Sequence, residues 1–142
     1  MDGRIHYCDT DLDLTSAEDL TALASVLEAK GVFPLHVGCG DDGLWYATFE
    51  TDNCFDEPDP NIADFITAIE SLTEPMRSIW SRCKQREFNF GYECGAEPRS
   101  FHQELSSALL GRIAAIGGSL GITIYPDSHE AAKENAPANS EI

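Results

Sequence analysis

The segment VFPLHVGCGDDGLWYATF, residues 32–49, decides the fold class of this 142-residue chain. Two mostly apolar runs, residues 32–37 and 44–49, flank a connection rich in glycine and aspartate, which is typical of a hairpin turn. Apolar side chains occupy both faces of the second run: Trp45, Ala47 and Phe49 on one, Leu44 and Tyr46 on the other. We therefore expect a β-hairpin whose second strand lies in the interior of a sheet.

A strand and a helix are expected before the hairpin. Residues 4–14 alternate between apolar and polar side chains, which predicts a strand. Leucine, alanine and valine then recur at helical spacing between residues 20 and 27. Thr15 and Glu18 form a capping-box pattern ahead of this run, and Gly31 suits the end of a helix.

A proline-interrupted helix is expected after an acidic loop, residues 50–60. Its apolar stripe covers residues 62–72, and Pro60 suits its first turn. Pro75 predicts a break, because proline removes a helical hydrogen bond and clashes with the preceding turn. A shorter helix follows, and four basic residues gather at its C-terminal end: Arg77, Arg82, Lys84 and Arg86. A helix cap explains this basic group better than a phosphate-binding patch.

The last third of the chain predicts a strand, a helix and a strand. Residues 87–94 alternate strictly, with Phe88, Phe90 and Tyr92 on one face. Ser100 and Gln103 form a second capping-box pattern ahead of helical spacing that ends at Gly117-Gly118. Residues 122–126 predict a final short strand.

The element order is therefore β-α-β-β-α-β-α-β, which places the chain in the α+β class. We expect a mixed or antiparallel sheet with helices packed mainly on one face. The first six elements follow the split βαβ order of ferredoxin-like folds, an analogy of topology that implies no function. Residues 1–126 are predicted to form one domain, and residues 127–142 a disordered tail.

Several short stretches in the last third resemble a known group of proteins. They are the aromatic strand, Phe101-His102 ahead of a helix, LLGRIAAIG at residues 109–117, and ITIY at residues 122–125. Together they resemble the C-terminal part of small bacterial domains grouped as a family of unknown function. Some relatives of that kind are suspected to lie near toxin–immunity loci. The resemblance implies a bacterial cytoplasmic protein and supplies no catalytic residue.

The charge of the chain excludes several partner classes. Nine Lys and Arg oppose 25 Asp and Glu, a formal net charge of −16. Residues 127–142 hold four of the acids and one lysine, which leaves residues 1–126 with −13. Such a field repels phosphate backbones and anionic membrane surfaces, so we expect no nucleic-acid and no membrane partner.

The cysteines predict a reducing compartment. There are five, widely spaced and without a CxxC pair: Cys8, Cys39, Cys54, Cys83 and Cys94. The first residues include acids where a signal peptide needs basic and apolar runs, and no apolar run approaches the length of a membrane span. We therefore expect a cytoplasmic protein with reduced thiols.

No metal or cofactor is expected. Asp9, Asp11 and Asp13 alternate as calcium ligands do, but an EF-hand needs glycine and glutamate where Leu14 and Leu20 stand. A strand would also splay the three aspartates, so they are interpreted as a solvated face. Four residues of zinc-ligand type occur without the tight pairs of structural sites: His6, Cys8, His36 and Cys39.

The expected function is that of an acidic binding or interaction protein. Its sharpest version is an immunity-type inhibitor of a basic protein, attracted through long-range electrostatics. The candidate binding residues are the acids of the hairpin turn and the acidic loop: Asp41, Asp42, Asp52, Asp56, Glu57 and Asp59. Trp45 and Tyr46 are possible partners of these acids, if exposed.

Two alternatives stay open. One is a small enzyme that uses Cys94 as nucleophile and His102 as base, since a helix N-terminus near Cys94 would favour its thiolate. The other is a structural subunit that forms a homodimer through an exposed sheet edge.

Overall fold

The computed structural model describes residues 3–52 and 55–126, and within them it confirms the α+β class. The strands are β1 (His6–Ser16), β2 (Val32–Cys39), β3 (Trp45–Thr51), β4 (Gln85–Glu93) and β5 (Ser119–Tyr125). The helices are α1 (Thr21–Ala29), α2 (Pro58–Glu70), α3 (Met76–Arg82) and α4 (Ser107–Ala115). The segment predicted as a disordered tail, residues 127–142, lies outside the described residues.

The five strands form one mixed sheet in the order β2-β3-β1-β4-β5. Strand β1 pairs antiparallel with both β3 and β4, and β2 pairs antiparallel with β3. Helix α1 connects β1 to β2, and β3 lies between these two strands in the sheet. This is the split βαβ arrangement expected from the element order. Strand β5 returns through α4 and pairs in parallel with β4.

The hydrophobic core lies between the helices and one face of this sheet. Alternate strand residues are buried there: Leu12 and Leu14, Ala47 and Phe49, Phe88 and Phe90. They meet apolar side chains of the helices, among them Leu23, Leu27, Phe65 and Ile66. The other alternate residues point to the opposite face, where all except Gly91 are exposed or half-buried. This uncovered side of the sheet is called the open face below.

The first predicted capping box is wrong. Thr15 belongs to β1, where its hydroxyl donates to the Gln85 side chain of the neighbouring strand. Helix α1 begins only at Thr21, and Glu18 pairs instead with Arg82 of α3. Pairing with β3 and β4 extends β1 to Ser16, so Thr15 is part of the sheet and cannot cap a helix.

The second predicted capping box is also wrong. Helix α4 begins at Ser107 rather than near Ser100, and the hydroxyl of Ser106 accepts the N–H of Leu109 at 3.1 Å. His102 therefore lies in a segment without helix or strand, not in a first helical turn.

The predicted helix ends are confirmed. Pro75 separates α2 from α3, and Gly117 ends α4 with a φ of +72°, a conformation that favours glycine. Arg86 caps both helices that end beside it, since its guanidinium donates to backbone carbonyls after α3 and α4. The cap interpretation of the basic group thus holds for Arg86.

Candidate functional site

Carboxylates dominate the open face of the sheet. Five of them point to it from three neighbouring strands and form what is called the acidic face: Asp9, Asp11, Asp13, Glu50 and Glu87. None of the described strand residues that point to this side is a lysine or an arginine. The negative potential of one carboxylate is therefore reinforced by its neighbours rather than neutralised.

Cross-strand pairing concentrates three of these groups. Carboxylate oxygens of Asp9, Asp11 and Glu50 lie within 4.8 Å of one another. Burial and the neighbouring charges of Asp9, Asp13 and Glu50 raise the pKa of Asp11 to about 6. Both causes act in the same direction, because each disfavours the ionised form.

A buried polar network holds Asp9 from the helix side. The amide nitrogen of Asn61, in α2, donates to the Asp9 carboxylate at 3.0 Å and to the Tyr7 hydroxyl at 2.7 Å. The amide oxygen of Asn61 accepts from the Thr51 hydroxyl at 2.9 Å. The Tyr7 hydroxyl also lies 2.6 Å from that of Thr10. Asp9 is thus fixed in place although it is exposed.

The three-carboxylate cluster is not assigned as a metal centre. Carboxylate oxygens are the ligands of hard cations, but exposed acidic groups without a bound ion are common. Among the described residues it is the single group of three or more ligand side chains at this spacing. The four residues of zinc-ligand type, His6, Cys8, His36 and Cys39, do not form a group at this spacing.

The predicted binding acids lie at two ends of the molecule. Asp41 and Asp42 are exposed in the turn before β3, whereas Asp52, Asp56 and Glu57 are exposed after it. Seven residues of β3 separate the two groups, roughly 20 Å at the usual rise of a strand. They do not form one site.

Two of the predicted binding acids stabilise local structure. Asp59 accepts the N–H of Ser106 at 2.9 Å and so ties the start of α4 to α2. Asp42 accepts the Tyr46 hydroxyl and, at 3.0 Å, the N–H of Leu44 within the hairpin. Trp45 is half-buried against the core, and Tyr46 is exposed on the open face.

Sequence reasoning missed the role of Glu50. It was assigned to the acidic loop, but β3 extends to Thr51 and brings Glu50 beside Asp11. The alternation of Tyr46, Thr48 and Glu50 along one side of β3 is the pattern that could have revealed it.

Exposed aromatic side chains flank the acidic face. Phe33 and Tyr46 lie on the β2–β3 side, and Tyr125 lies on β5. The Tyr125 ring covers Gly91, where a Cβ atom would approach it to 2.9 Å. The open face thus combines a charged centre with apolar margins.

A groove opens on the other side of the sheet. It encloses about 360 Å³ between the ends of β4 and β5 and the segment before α4. Its floor contains Tyr92, which is 6% exposed and whose hydroxyl has no hydrogen-bond partner among the described residues. Burial, and to a lesser degree Tyr7, raises the pKa of Tyr92 to about 12, so the hydroxyl keeps its proton at neutral pH. The Phe101 ring packs edge-on against Tyr92 at 5.2 Å.

The proposed catalytic pair is not joined. Cys94 lines this groove, whereas His102 lines two neighbouring depressions beyond Phe101. The His102 side chain is 83% exposed, and its Nε2 lies 3.6 Å from Glu104. No hydrogen bond links Cys94 to His102 in the part of the chain that the structure describes. The helix expected to begin near Cys94 begins at Ser107, which removes the argument for an activated thiolate.

Comparison of the chain with protein-family models, curated proteins and solved structures gives no significant match. Among the described helices, none is long and apolar enough to cross a membrane.

Replacing Tyr92 with phenylalanine is expected to raise the free energy of unfolding by about 1 kcal/mol, because a buried hydroxyl without a partner is destabilising. Tyr7→Phe is the matched control, since the Tyr7 hydroxyl is bonded to Thr10 and Asn61 and its removal should destabilise the fold. Urea unfolding followed by circular dichroism measures both. A loss of stability in Tyr92→Phe would show that the hydroxyl has a partner in solution.

Proposed function

We propose that this protein is a binding module that docks a positively charged protein on its acidic face. The observation that carries the proposal is the set of five carboxylates on three adjacent strands, with no lysine or arginine on the described strand positions of that side. A rigid sheet presents these charges at fixed spacing, which suits recognition of lysine and arginine side chains.

The electrostatic state of Asp11 supports a cationic partner. Its carboxylate is half-buried and surrounded by other acids, so its charge is unfavourable in the free protein. A lysine or arginine placed against the cluster would replace repulsion with attraction and lower the pKa of Asp11. Binding near pH 6 should therefore release a proton.

The exposed aromatic residues support a protein rather than a small cation as partner. Phe33, Tyr46 and Tyr125 lie on the same side as the carboxylates. Tyrosine and phenylalanine side chains give large apolar contact areas in interfaces, and tyrosine is enriched among the residues that contribute most.

The sharpest form of the proposal is an immunity-type inhibitor of a basic protein in a bacterial cytoplasm. The net charge of −16 supports it, because attraction over several ångströms accelerates association with a basic partner. The resemblance of the last third to small bacterial domains supports the same setting.

Cytochrome c, a small basic protein, serves as the probe for this proposal. Isothermal titration should show binding at 20 mM salt that weakens by at least tenfold at 150 mM, as counter-charges are screened. The variant Asp11→Asn/Glu50→Gln/Glu87→Gln should bind about tenfold more weakly than the parent at low salt, since three contact charges are lost.

The matched control removes three charges elsewhere. Asp41→Asn/Asp52→Asn/Asp56→Asn has the same net charge as the first variant but keeps the acidic face, so its affinity should stay within about threefold of the parent. Amide shifts in the parent should change along β1, β3 and β4. If the control variant lost as much affinity as the first, or if the shifts mapped to the helices, the acidic face would not be the docking surface.

A further inference from the structure

The groove beside β5 is a second candidate site, independent of the acidic face because it lies on the helix-covered side of the sheet. Apolar side chains form its walls: Ile5, Phe90, Phe101, Leu105, Ile122 and Ile124. Its volume of about 360 Å³ is near the lower end of the range for small-molecule sites. Ile122 and Ile124 are 62% and 63% exposed, so the wall formed by β5 is directly accessible from solvent.

The polar groups of the groove define what it can bind. Tyr92 contributes a hydroxyl that is buried, protonated and without a partner among the described residues. The other polar residues of its described lining are Glu93, Cys94 and Gln103, so within the described residues the groove has an acid but no lysine or arginine. An anionic ligand would therefore lack a counter-charge, whereas a neutral oxygen could accept the hydrogen bond that Tyr92 leaves unmade.

The Phe101 ring lies against Tyr92 in the wall of the groove. The two ring centroids are 5.2 Å apart, and Phe101 is itself 40% exposed. It belongs to a segment that is neither helix nor strand, between β4 and α4. A rotation of the Phe101 side chain is a smaller change than a shift of any strand, and it is the movement by which we expect a ligand oxygen to reach the Tyr92 hydroxyl.

We propose that the groove binds a small uncharged aromatic molecule whose carbonyl oxygen accepts a hydrogen bond from Tyr92. The apolar walls recognise the ring system, the Tyr92 hydroxyl recognises the oxygen, and the acidic surroundings reject carboxylates of the same shape.

Prodan, a neutral naphthalene with a ketone group, is a suitable fluorescent probe. Its emission should shift to the blue on saturable binding, because the groove is less polar than water. Ile122→Glu should weaken binding about tenfold by placing a carboxylate in the wall. The matched variant Leu120→Glu adds the same charge to an exposed position of β5 outside the groove, and it should bind within twofold of the parent. Equal losses in both variants would overturn the site.

The Tyr92→Phe variant tests the hydrogen bond. It should bind Prodan about fivefold more weakly, the effect of losing one neutral hydrogen bond. The bound probe should emit at still shorter wavelength, since a hydrogen bond to the ketone shifts its emission to the red. A loss of affinity without this spectral change would overturn the role of Tyr92, because a structural effect alone would not alter the ketone's environment.

Competition separates the ligand classes. 2-Acetylnaphthalene should displace Prodan, and 2-naphthoate, its carboxylate analogue, should be at least tenfold less effective at pH 7.5. Equal competition would overturn the preference for uncharged ligands. Light scattering tests whether the groove is instead a subunit interface. If the parent is a dimer, and Ile122→Glu both dissociates it and abolishes probe binding, the proposal is wrong.

Discussion

Arg86→Met is expected to lower the free energy of unfolding by about 3 kcal/mol, since hydrogen bonds from a charged donor each contribute about 1.5–3 kcal/mol and do not add fully. The Arg86 guanidinium donates to four backbone carbonyls: those of Trp80, Ser81 and Cys83 at 3.1, 3.2 and 2.7 Å, and that of Gly117 at 2.9 Å. The carbonyls of Trp80 and Ser81 lie in the last turn of α3, and those of Cys83 and Gly117 lie just after α3 and α4. Helix ends leave carbonyls without a full set of helical donors, and Arg86 supplies donors to them. Methionine keeps the apolar stem of the side chain, so the decrease in the free energy of unfolding measures the contribution of the hydrogen bonds.

Arg82→Met is the control for this prediction. Arg82 lies four residues earlier and pairs with Glu18 at 2.6 Å, but the two side chains are 56% and 39% exposed. Exposed ion pairs contribute little, because water screens them and the side chains lose freedom. Unfolding in guanidinium chloride at pH 7 should therefore show a much smaller decrease in the free energy of unfolding for Arg82→Met than for Arg86→Met. Equal losses would mean that Arg86 acts as an ordinary surface charge.

The contrast between these two arginines shows what the sequence could and could not predict. The gathering of basic residues at the end of α3 was visible, and the cap interpretation followed from the helix dipole. Which arginine would act as the cap depended on alternation in β4: Arg86 pairs with Leu14 and points toward the helices. That assignment needs the strand register, which no local pattern supplies.

The capping boxes failed for a related reason. Thr15 and Glu18 satisfy the local requirement for a helix start, but tertiary pairing of β1 with two neighbours outweighs it. Periodic segments such as 62–72 and 87–94 were predicted well, because the pattern of burial itself determines their type.

The candidate site was predictable in composition but not in assembly. Aspartates on one parity of the first strand were visible in the sequence, as was the acidic run from residue 50. Their meeting depends on the pairing of β1 with β3, which brings Glu50 beside Asp11 across about 40 residues of sequence. The groove was not predictable, since one of its walls is formed by residues 101–105, which the sequence pattern predicted to be helical but which precede α4.

Asp11→Asn is expected to stabilise the protein by about 2 kcal/mol at pH 8. The pKa of Asp11 is raised from 3.8 to about 6, chiefly by burial and then by Asp9, Asp13 and Glu50. A shift of two units corresponds to about 3 kcal/mol, and partial exposure of the side chain reduces this. Asparagine keeps the shape and removes the unfavourable charge.

The sign of the pH dependence follows from proton binding. Between about pH 4 and pH 6 the folded chain holds a proton on Asp11 that the unfolded chain has released. Stability contributed by this group is therefore complete below pH 4 and is lost as the pH rises through 6. The difference between Asp11→Asn and the parent should grow from near zero at pH 4 to its full value above pH 7.

Urea unfolding at several pH values between 4 and 8 measures this difference, with Asp41→Asn as the control. Asp41 is exposed in the hairpin turn, so its replacement changes the net charge equally but relieves no crowding. Its stability difference should stay small across the range. If the stability difference between Asp11→Asn and the parent did not change with pH, the Asp11 charge would not be destabilised by burial and its acidic neighbours. We also expect Asp11→Asn to bind cytochrome c more weakly than the parent. Together with the expected gain in stability, this result would show that the Asp11 carboxylate destabilises the free protein and strengthens the complex. That relation is expected of a residue that serves binding rather than folding.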